Sequence, residues 1–244
     1  MRLLIPCMKC VHDSGAPRLA IARVEVRDDG RYELTCPNGH KAVTLLQQQK
    51  FEVLFDIGAY AILDGYYREA VSSFAASLER FYEFAIHVFL HNSGVPGEVV
   101  SSCWKEVSRQ SERQLGAFVL LWASFFHSKP ELLGTKRTEF RNDVVHKGKI
   151  PSKSEALSFG NAVLDILRKN MLQLRGELGN SVQRIVVQRL HDMQVGQPAE
   201  QPSTMCANTI VSLSAGEASH HQGSLEQHLA ELQNWRSLLG ASGV

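Results

Sequence analysis

Apolar residues recur three and four positions apart over most of the chain between Lys41 and Met193. This spacing places side chains along one face of an α-helix. The pattern predicts helices over 51–62, 67–89 and 98–127, a fourth from Lys136 and a fifth from Ser152. We therefore expect a mainly α fold built around a bundle of four to five helices.

Glycine and capping residues mark the ends of these predicted helices. The glycine- and proline-containing segment 92–97 ends the second helix, and Gly116 is a candidate break inside the third. Gly148 can adopt the left-handed conformation that ends a helix. Ser152 and Glu155 have the spacing of a capping box, so a new helix is expected to start there.

The first 41 residues follow a different pattern, which is typical of short β-strands. Residues 18–26 are rich in β-branched and apolar side chains, and 32–35 has the composition of a return strand. Asp29-Gly30 lies between them and is a strong turn signal, so we expect a hairpin. A module of this size buries too little apolar surface to be stable without a disulfide or a metal.

Cysteine and histidine residues lie at positions that suit a metal site in this module. Cys7 and Cys10 form a close pair before the predicted hairpin, and Cys36 and His40 form another after it. Three thiolates and one imidazole suit tetrahedral zinc, so the module is expected to be a structural zinc ribbon. His12 also follows the first pair closely and is the alternative fourth ligand; we prefer His40 because each pair then supplies two ligands from a turn.

The pattern weakens after Gly179. Residues 185–187 are compatible with a helix or a strand, and the Gln-, Pro- and Ser-rich segment 195–208 has the composition of a linker. Spaced leucines over 225–239 predict a terminal amphipathic helix. The sequence thus divides into a zinc ribbon at 1–41, a helical bundle at 42–194 and a linker with a C-terminal helix at 195–244.

Composition narrows the functional class. The formal net charge is +1. A chain without a large excess of positive charge does not attract nucleic acid over its whole surface, which disfavours a DNA-binding regulator. No apolar run approaches the ~20 residues that a membrane span needs, and the first residues lack a secretory signal. The odd count of five cysteines fits a metal site in a reducing compartment better than a disulfide framework. We therefore expect a cytoplasmic protein without a membrane partner.

The candidate catalytic residues lie near the end of the predicted fourth helix. Arg141, Asn142 and His146 form an Arg-Asn-x-x-x-His motif, in which Asn142 and His146 are one helical turn apart. Arg141 can hold a phosphate with its fork of donors, and His146 can move a proton near neutral pH. These groups suit metal-independent cleavage of RNA, with His146 as general base or acid and Asn142 orienting it or binding phosphate.

Four basic side chains surround the motif and are candidate substrate-binding residues: Lys136, Arg137, Lys147 and Lys149. Glu79 and Glu83 share one face of the second predicted helix, which we interpret as a solvated face rather than as part of the cleft. Cys103 falls on an apolar stripe of the third predicted helix and is expected in the core.

A helical bundle with this motif at its last inter-helix junction resembles the HEPN superfamily. The mark of that family is an arginine, a polar residue directly after it and a histidine a few positions further on. Arg141, Asn142 and His146 match it, Gly148 and Pro151 follow, and the resemblance covers residues 45–178. The zinc ribbon and the C-terminal tail lie outside the family core.

The resemblance implies a metal-independent endoribonuclease of toxin–antitoxin or antiviral-defence systems. It also implies a homodimer in which motifs from both subunits line one RNA cleft, and an antitoxin or regulatory protein as a further partner. Some HEPN proteins lack activity. The alternative function is therefore a non-catalytic module that dimerises and docks a protein or nucleic-acid partner through its zinc ribbon or tail.

Overall fold

The computed structural model describes residues 1–14, 21–195, 202–216 and 222–241. Within these ranges the protein is mainly helical, with eight helices and two small sheets. The chain divides into two compact units. The amino-terminal unit comprises Met1–Gln49 and Gln183–Asn208, and the helical unit comprises Lys50–Val182 and Thr209–Val244. The predicted domain limits followed the linear chain, whereas the amino-terminal unit also takes in a segment from beyond residue 182.

Among its described residues, the amino-terminal unit contains five short strands, one short helix and the last part of a long helix. Two strands form an antiparallel pair, in which Leu3 lies opposite Val24. In the other sheet the central strand pairs antiparallel on one side and parallel on the other. The elements are β1 (Arg2–Pro6), α1 (Met8–Ser14), β2 (Ile21–Glu25), β3 (Arg31–Thr35), β4 (Lys41–Leu46) and β5 (Ser203–Met205).

The predicted hairpin between 18–26 and 32–35 does not form within the described residues. Gly30 does make the expected turn, with φ +67° and a hydrogen bond from its N–H to the Arg27 carbonyl. The strands on either side nevertheless join different sheets: β2 pairs with β1, and β3 pairs with β4. Turn chemistry is local, whereas strand pairing depends on which partner buries the apolar face of each strand.

Part of the predicted linker also belongs to a sheet. Ser203–Met205 is β5 and lies parallel to Thr44–Leu46 of β4. The hydroxyl groups of Thr44 and Ser203 are 2.9 Å apart and hydrogen-bond to each other. A three-residue strand gives almost no periodic signal, so composition alone indicated a linker.

Helices make up the other unit, and their bounds follow the predicted pattern closely. The predicted third helix is two helices, which separate at 108–110 rather than at Gly116. No helix of the described residues has the length and apolar character needed to cross a membrane. The helices are α2 (Lys50–Leu63), α3 (Tyr67–Asn92), α4 (Gly97–Val107), α5 (Ser111–Phe126), α6 (Thr135–His146), α7 (Lys153–Asp192) and α8 (Leu225–Ala241).

Aromatic side chains of α2, α3 and α5 form the core of the helical unit. Phe74 is fully buried and its ring centroid lies 4.8 Å from that of Phe55. A Cβ atom at Gly58 or Gly160 would lie within 2.7 Å of the Phe74 ring, so only glycine lets the neighbouring backbones approach it. Thirteen of the 26 residues of α3 are buried, so this helix is firmly packed in the unit.

Two buried carboxylates on α2 hold the segment before α8. Asp56 Oδ1 accepts a hydrogen bond of 3.0 Å from the Ile210 N–H, and Glu52 Oε1 accepts one of 2.9 Å from the Leu213 N–H. Both carboxylates are almost wholly inaccessible to solvent. Burial raises the pKa of Asp56 to about 7, the hydrogen bond from Ile210 opposes this, and the charge of Glu52 adds to it.

Candidate active site and candidate metal centre

Four side chains converge in the amino-terminal unit to form a cluster that could bind a metal ion. The ligand atoms of Cys7, Cys10, Cys36 and His40 all lie within 4.8 Å of one another. Cys10 Sγ is 3.7 Å from Cys36 Sγ and 3.2 Å from His40 Nδ1. The three cysteines are buried, and all five cysteines of the chain are free thiols. The geometry brings together the four ligands expected from the sequence.

Two different backbone structures deliver these ligands. Cys7 directly follows β1 and Cys10 lies inside α1, so one helical turn, rather than the predicted loop turn, presents the first pair. Cys36 and His40 bracket the tight connection between β3 and β4, where the Cys36 N–H donates to the His40 carbonyl at 3.0 Å. His12 is 89% exposed and contacts Asp13, so His40 is the fourth member of the cluster.

Further polar groups surround this cluster. Asn38 Nδ2 donates to Cys10 Sγ at 3.3 Å, and Asp13 Oδ2 lies 4.0 Å from His40 Nε2. The surroundings of a metal site usually include a hydrogen-bond donor to a ligand sulfur. They also usually include a carboxylate near the imidazole nitrogen that does not bind the metal. With three sulfurs and one nitrogen, the donor set fits a soft or borderline ion.

The Arg-Asn-x-x-x-His motif lies at the carboxyl end of α6. Val144 is the only buried residue of this helix, and it anchors one face. Successive helical residues are ~100° apart, so Asn142 and His146 point away from the Val144 face. Helix α6 ends with Gly148 in the predicted left-handed conformation, at φ +74°. His146 is consequently exposed, whereas Arg141 and Asn142 are half-buried.

Arg141 connects the three motif residues. Its Nη1 donates to Asn142 Oδ1 at 3.0 Å and lies 3.4 Å from His146 Nε2. A guanidinium has only donors, so the geometry fits a neutral His146 whose Nε2 carries the lone pair. The sequence placed Asn142 beside His146, but in the fold Arg141 is the group that contacts both.

Glu79 was missed as a member of this site. Its carboxylate accepts a hydrogen bond from Arg141 Nη2 and forms an ion pair with it, although we expected a solvated face. Glu83, one turn further along α3, is no more exposed than Glu79 and pairs with its neighbour Arg80 at 2.5 Å. The 62 positions between Glu79 and Arg141 explain why no local pattern indicated the contact.

The four predicted substrate-binding cations have different surroundings. Lys147 pairs with Asp143 at 2.9 Å. Lys149 pairs with Glu155 at 2.8 Å and lies over the Phe140 ring. Lys136 is exposed, and Arg137 lines a cavity of about 400 Å³ together with residues of α7. The basic charge near the motif is thus partly offset by neighbouring carboxylates.

The junction between α6 and α7 forms as the sequence predicted. The Ser152 N–H donates to Glu155 Oε2 at 2.8 Å, and the Glu155 N–H donates to Ser152 Oγ at 3.3 Å, which confirms the capping box. Hydrogen bonds lower the pKa of Glu155 to about 2. The one from Lys149 contributes most, and those from the Ser152 N–H and hydroxyl group come next. The chain after His146 is therefore held by defined contacts.

Comparison with protein-family models, with curated proteins and with solved structures gave no match. The function of this chain is therefore inferred from its own residues and their geometry.

Proposed function

We propose that this protein is a metal-independent endoribonuclease of HEPN type, acting through Arg141, Asn142 and His146. The proposal rests on one observation: the guanidinium of Arg141 lies within 3.4 Å of the His146 ring and 3.0 Å of the Asn142 side chain. A permanent cation and a titratable base side by side are the two groups that cleavage of RNA needs. The helical architecture is compatible with a HEPN bundle.

The proposed reaction uses the hydroxyl group that distinguishes RNA from DNA. The ribose 2′-hydroxyl takes the place of the Arg141 N–H at His146 Nε2, this nitrogen accepts the hydroxyl proton, and the 2′-oxygen attacks the adjacent phosphorus. The bond from phosphorus to the 5′-oxygen breaks, the electron pair leaves with that oxygen, and a 2′,3′-cyclic phosphate forms. The His146 of a second copy of the chain, in its protonated form, donates a proton to the departing 5′-oxygen. Arg141 stabilises the charge on the phosphate, so these steps call on no metal ion.

A homodimer is part of this proposal. One copy of the motif offers one titratable base, and His146 is exposed at a surface where a second copy could face it. Two motifs facing each other would supply a base and an acid to one RNA strand. Such an enzyme would act as a toxin or antiviral-defence effector in the cytoplasm, restrained by an antitoxin or a regulatory protein.

Substitution of the histidine tests the proposal. His146→Ala should abolish cleavage of single-stranded RNA, with a loss of about 100-fold or more, because the base is removed. The fold should persist, since His146 is exposed and buries no apolar surface. His191→Ala, at another exposed helical histidine, is the matched control and should cleave like the wild type. Unchanged cleavage by the His146→Ala protein would refute the proposal.

For the metal cluster we propose zinc in a structural role. Three thiolates and one imidazole, with no further ligand in the part of the chain that the structure describes, are the donor set of closed zinc sites. The full chain should bind one zinc ion per molecule, measured by elemental analysis after gel filtration. His40→Ala should weaken binding and His12→Ala should not. Equal loss of zinc in the two variants would contradict the assignment.

The second candidate function is a non-catalytic interaction module, and the surface of α4 and α5 favours it. Helix α4 has no buried residue, and Cys103, expected in the core, is exposed. Leu120 on α5 is 73% exposed. Apolar side chains left in water are typical of a surface that another molecule covers. A stable complex without cleavage of any RNA would support this function over the enzymatic one.

A further inference from the structure

The pair formed by Glu79 and Arg141 has a role that reaches beyond helix packing. On the basis of the proposed ribonuclease function, we propose that Glu79 is a positioning residue, which holds the Arg141 guanidinium against His146. Glu79 then acts through Arg141 and does not itself touch RNA. No motif of the sequence includes it.

The first support is the rigidity of the element that carries Glu79. Half of the residues of helix α3 are buried, and Leu78 and Phe81, which lie close to Glu79 on this helix, are among them. Helix α6 has one buried residue and depends on few anchors of its own. A carboxylate on the firmly packed helix can therefore fix a long side chain on the weakly packed one.

The second support is the partial burial of the pair. The side chains of Glu79 and Arg141 are only 27% and 19% exposed. Water and salt screen such a pair less than a pair on the open surface, and loss of one partner leaves the other charge poorly solvated. We therefore expect the ion pair between Glu79 and Arg141 to persist when substrate binds.

The third support is how the guanidinium divides its donors. Nη2 donates to Glu79, while Nη1 faces Asn142 and His146. The guanidinium is planar and rigid, so fixing Nη2 on α3 also fixes the direction of Nη1. Without Glu79, rotation about the flexible stem of Arg141 would move Nη1 away from the ring of His146.

Phosphate does not have to displace Glu79. Arginine has five N–H donors, and the three contacts in the described structure use three of them. The Nε–H and the second Nη2–H of Arg141 remain for the oxygen atoms of a phosphate. If Glu79 only competed with RNA for Arg141, removal of Glu79 would let Arg141 bind phosphate more tightly.

Kinetics of matched variants test the inference. Glu79→Ala should lower kcat about tenfold or more with little change in KM, because the outer contact of a reacting group is lost. Glu79→Gln keeps one acceptor oxygen and should recover part of that loss. Glu83→Ala removes an equally exposed glutamate whose partner is Arg80, and it should leave kcat unchanged. The thermal unfolding midpoints of all three variants show whether the fold is intact.

A second measurement is independent of cleavage. Nitrogen-15 spectra of the histidine rings, with His146 assigned by its absence in His146→Ala, report which ring nitrogen holds the proton. The wild type and Glu83→Ala should show His146 protonated on Nδ1, and Glu79→Ala should show a mixture of the two forms. This test remains valid even if the wild type cleaves no RNA, an outcome that would refute the proposed function alone.

Two results would overturn the positioning role. One is a Glu79→Ala protein with wild-type kcat and a wild-type His146 spectrum. The other is tighter RNA binding or faster cleavage by Glu79→Ala, which would show that Glu79 restrains Arg141 rather than positioning it.

Discussion

The two units differ in where their chemistry-bearing residues lie relative to the core. In the amino-terminal unit Cys7, Cys10 and Cys36 are themselves a buried cluster, with at most 5% of any of them exposed. In the helical unit the core consists of aromatic rings such as Phe74 and Phe81, and His146 is exposed at the end of a helix. The candidate metal centre is therefore part of the structure that holds its unit together, whereas the motif is supported by a core that does not include it.

This difference separates stability from chemistry. Loss of a ligand in the amino-terminal unit should destabilise the strands around it, because the ligand cysteines are part of the buried core of that unit. Loss of His146 should change only the reaction.

Removal of the proposed zinc ion should have the largest effect. We expect a chelator, or Cys36→Ser, to destabilise β3 and β4 by several kcal/mol, since ligand binding to the folded state contributes on the order of 10 kcal/mol in small zinc modules. Hydrogen exchange should accelerate in 31–46 and remain slow in α3. His12→Ala is the control. If the hydrogen-exchange rates in β3 and β4 did not change after metal removal, the cluster would not stabilise its unit and the contrast between the two units would be wrong.

Truncation of the central aromatic side chain should have the next largest effect. Phe74→Ala should destabilise the helical unit by about 3–5 kcal/mol, because Phe74 is fully buried and the backbones at Gly58 and Gly160 approach its ring. Zinc binding to the full chain should be unaffected. Tyr66→Ala, at an exposed aromatic residue, is the control in chemical denaturation. If Phe74→Ala also weakened zinc binding, the stabilities of the two units would be coupled.

The smallest expected effect is a change in pH dependence. The folded pKa of Asp56, about 7, lies above the unfolded value of ~3.9. The neutral carboxyl therefore stabilises the fold fully below pH ~4, and this contribution is lost as the pH rises to ~7. Asp56→Asn keeps the acceptor for Ile210 and removes the charge. Its stability should therefore rise progressively above that of the wild type as the pH increases through this range.

Denaturation curves at pH 4 and pH 8 measure this difference. Asp64→Asn, at a half-exposed carboxylate that pairs with Arg236, is the control and should not reproduce the gain. A wild-type protein whose stability changes with pH in the same way as Asp56→Asn would show that Asp56 is ionised in the fold.

Local patterns predicted the features whose physical cause is local. Helical periodicity anticipated most helices, the capping box at Ser152 and Glu155 forms as expected, and Gly148 adopts its left-handed conformation. The spacing of Cys7, Cys10, Cys36 and His40 anticipated the cluster, because close pairs restrict where ligands can go. The mainly helical class is confirmed, whereas membership of the HEPN family stays a proposal.

Features with a distant cause were predicted poorly. The Asp29-Gly30 signal indicated a turn correctly, but its strands pair with other partners. Cys103 lies on a sequence stripe that looks buried, yet no other described element covers it. The helix that carries Cys10 and the short strand β5 were both missed, because neither is long enough to show a period.

By itself the sequence determined most of the helices, the capping box of α7, the two close cysteine and histidine pairs and the order Arg141, Asn142, His146, since each depends on residues a few positions apart. Only the tertiary structure brought Glu79 to Arg141, Ser203 to Thr44 and the buried Asp56 to the segment before α8. Such contacts depend on which apolar faces bury each other across many tens of residues. The packing of α3 decided which acidic residue reaches the motif.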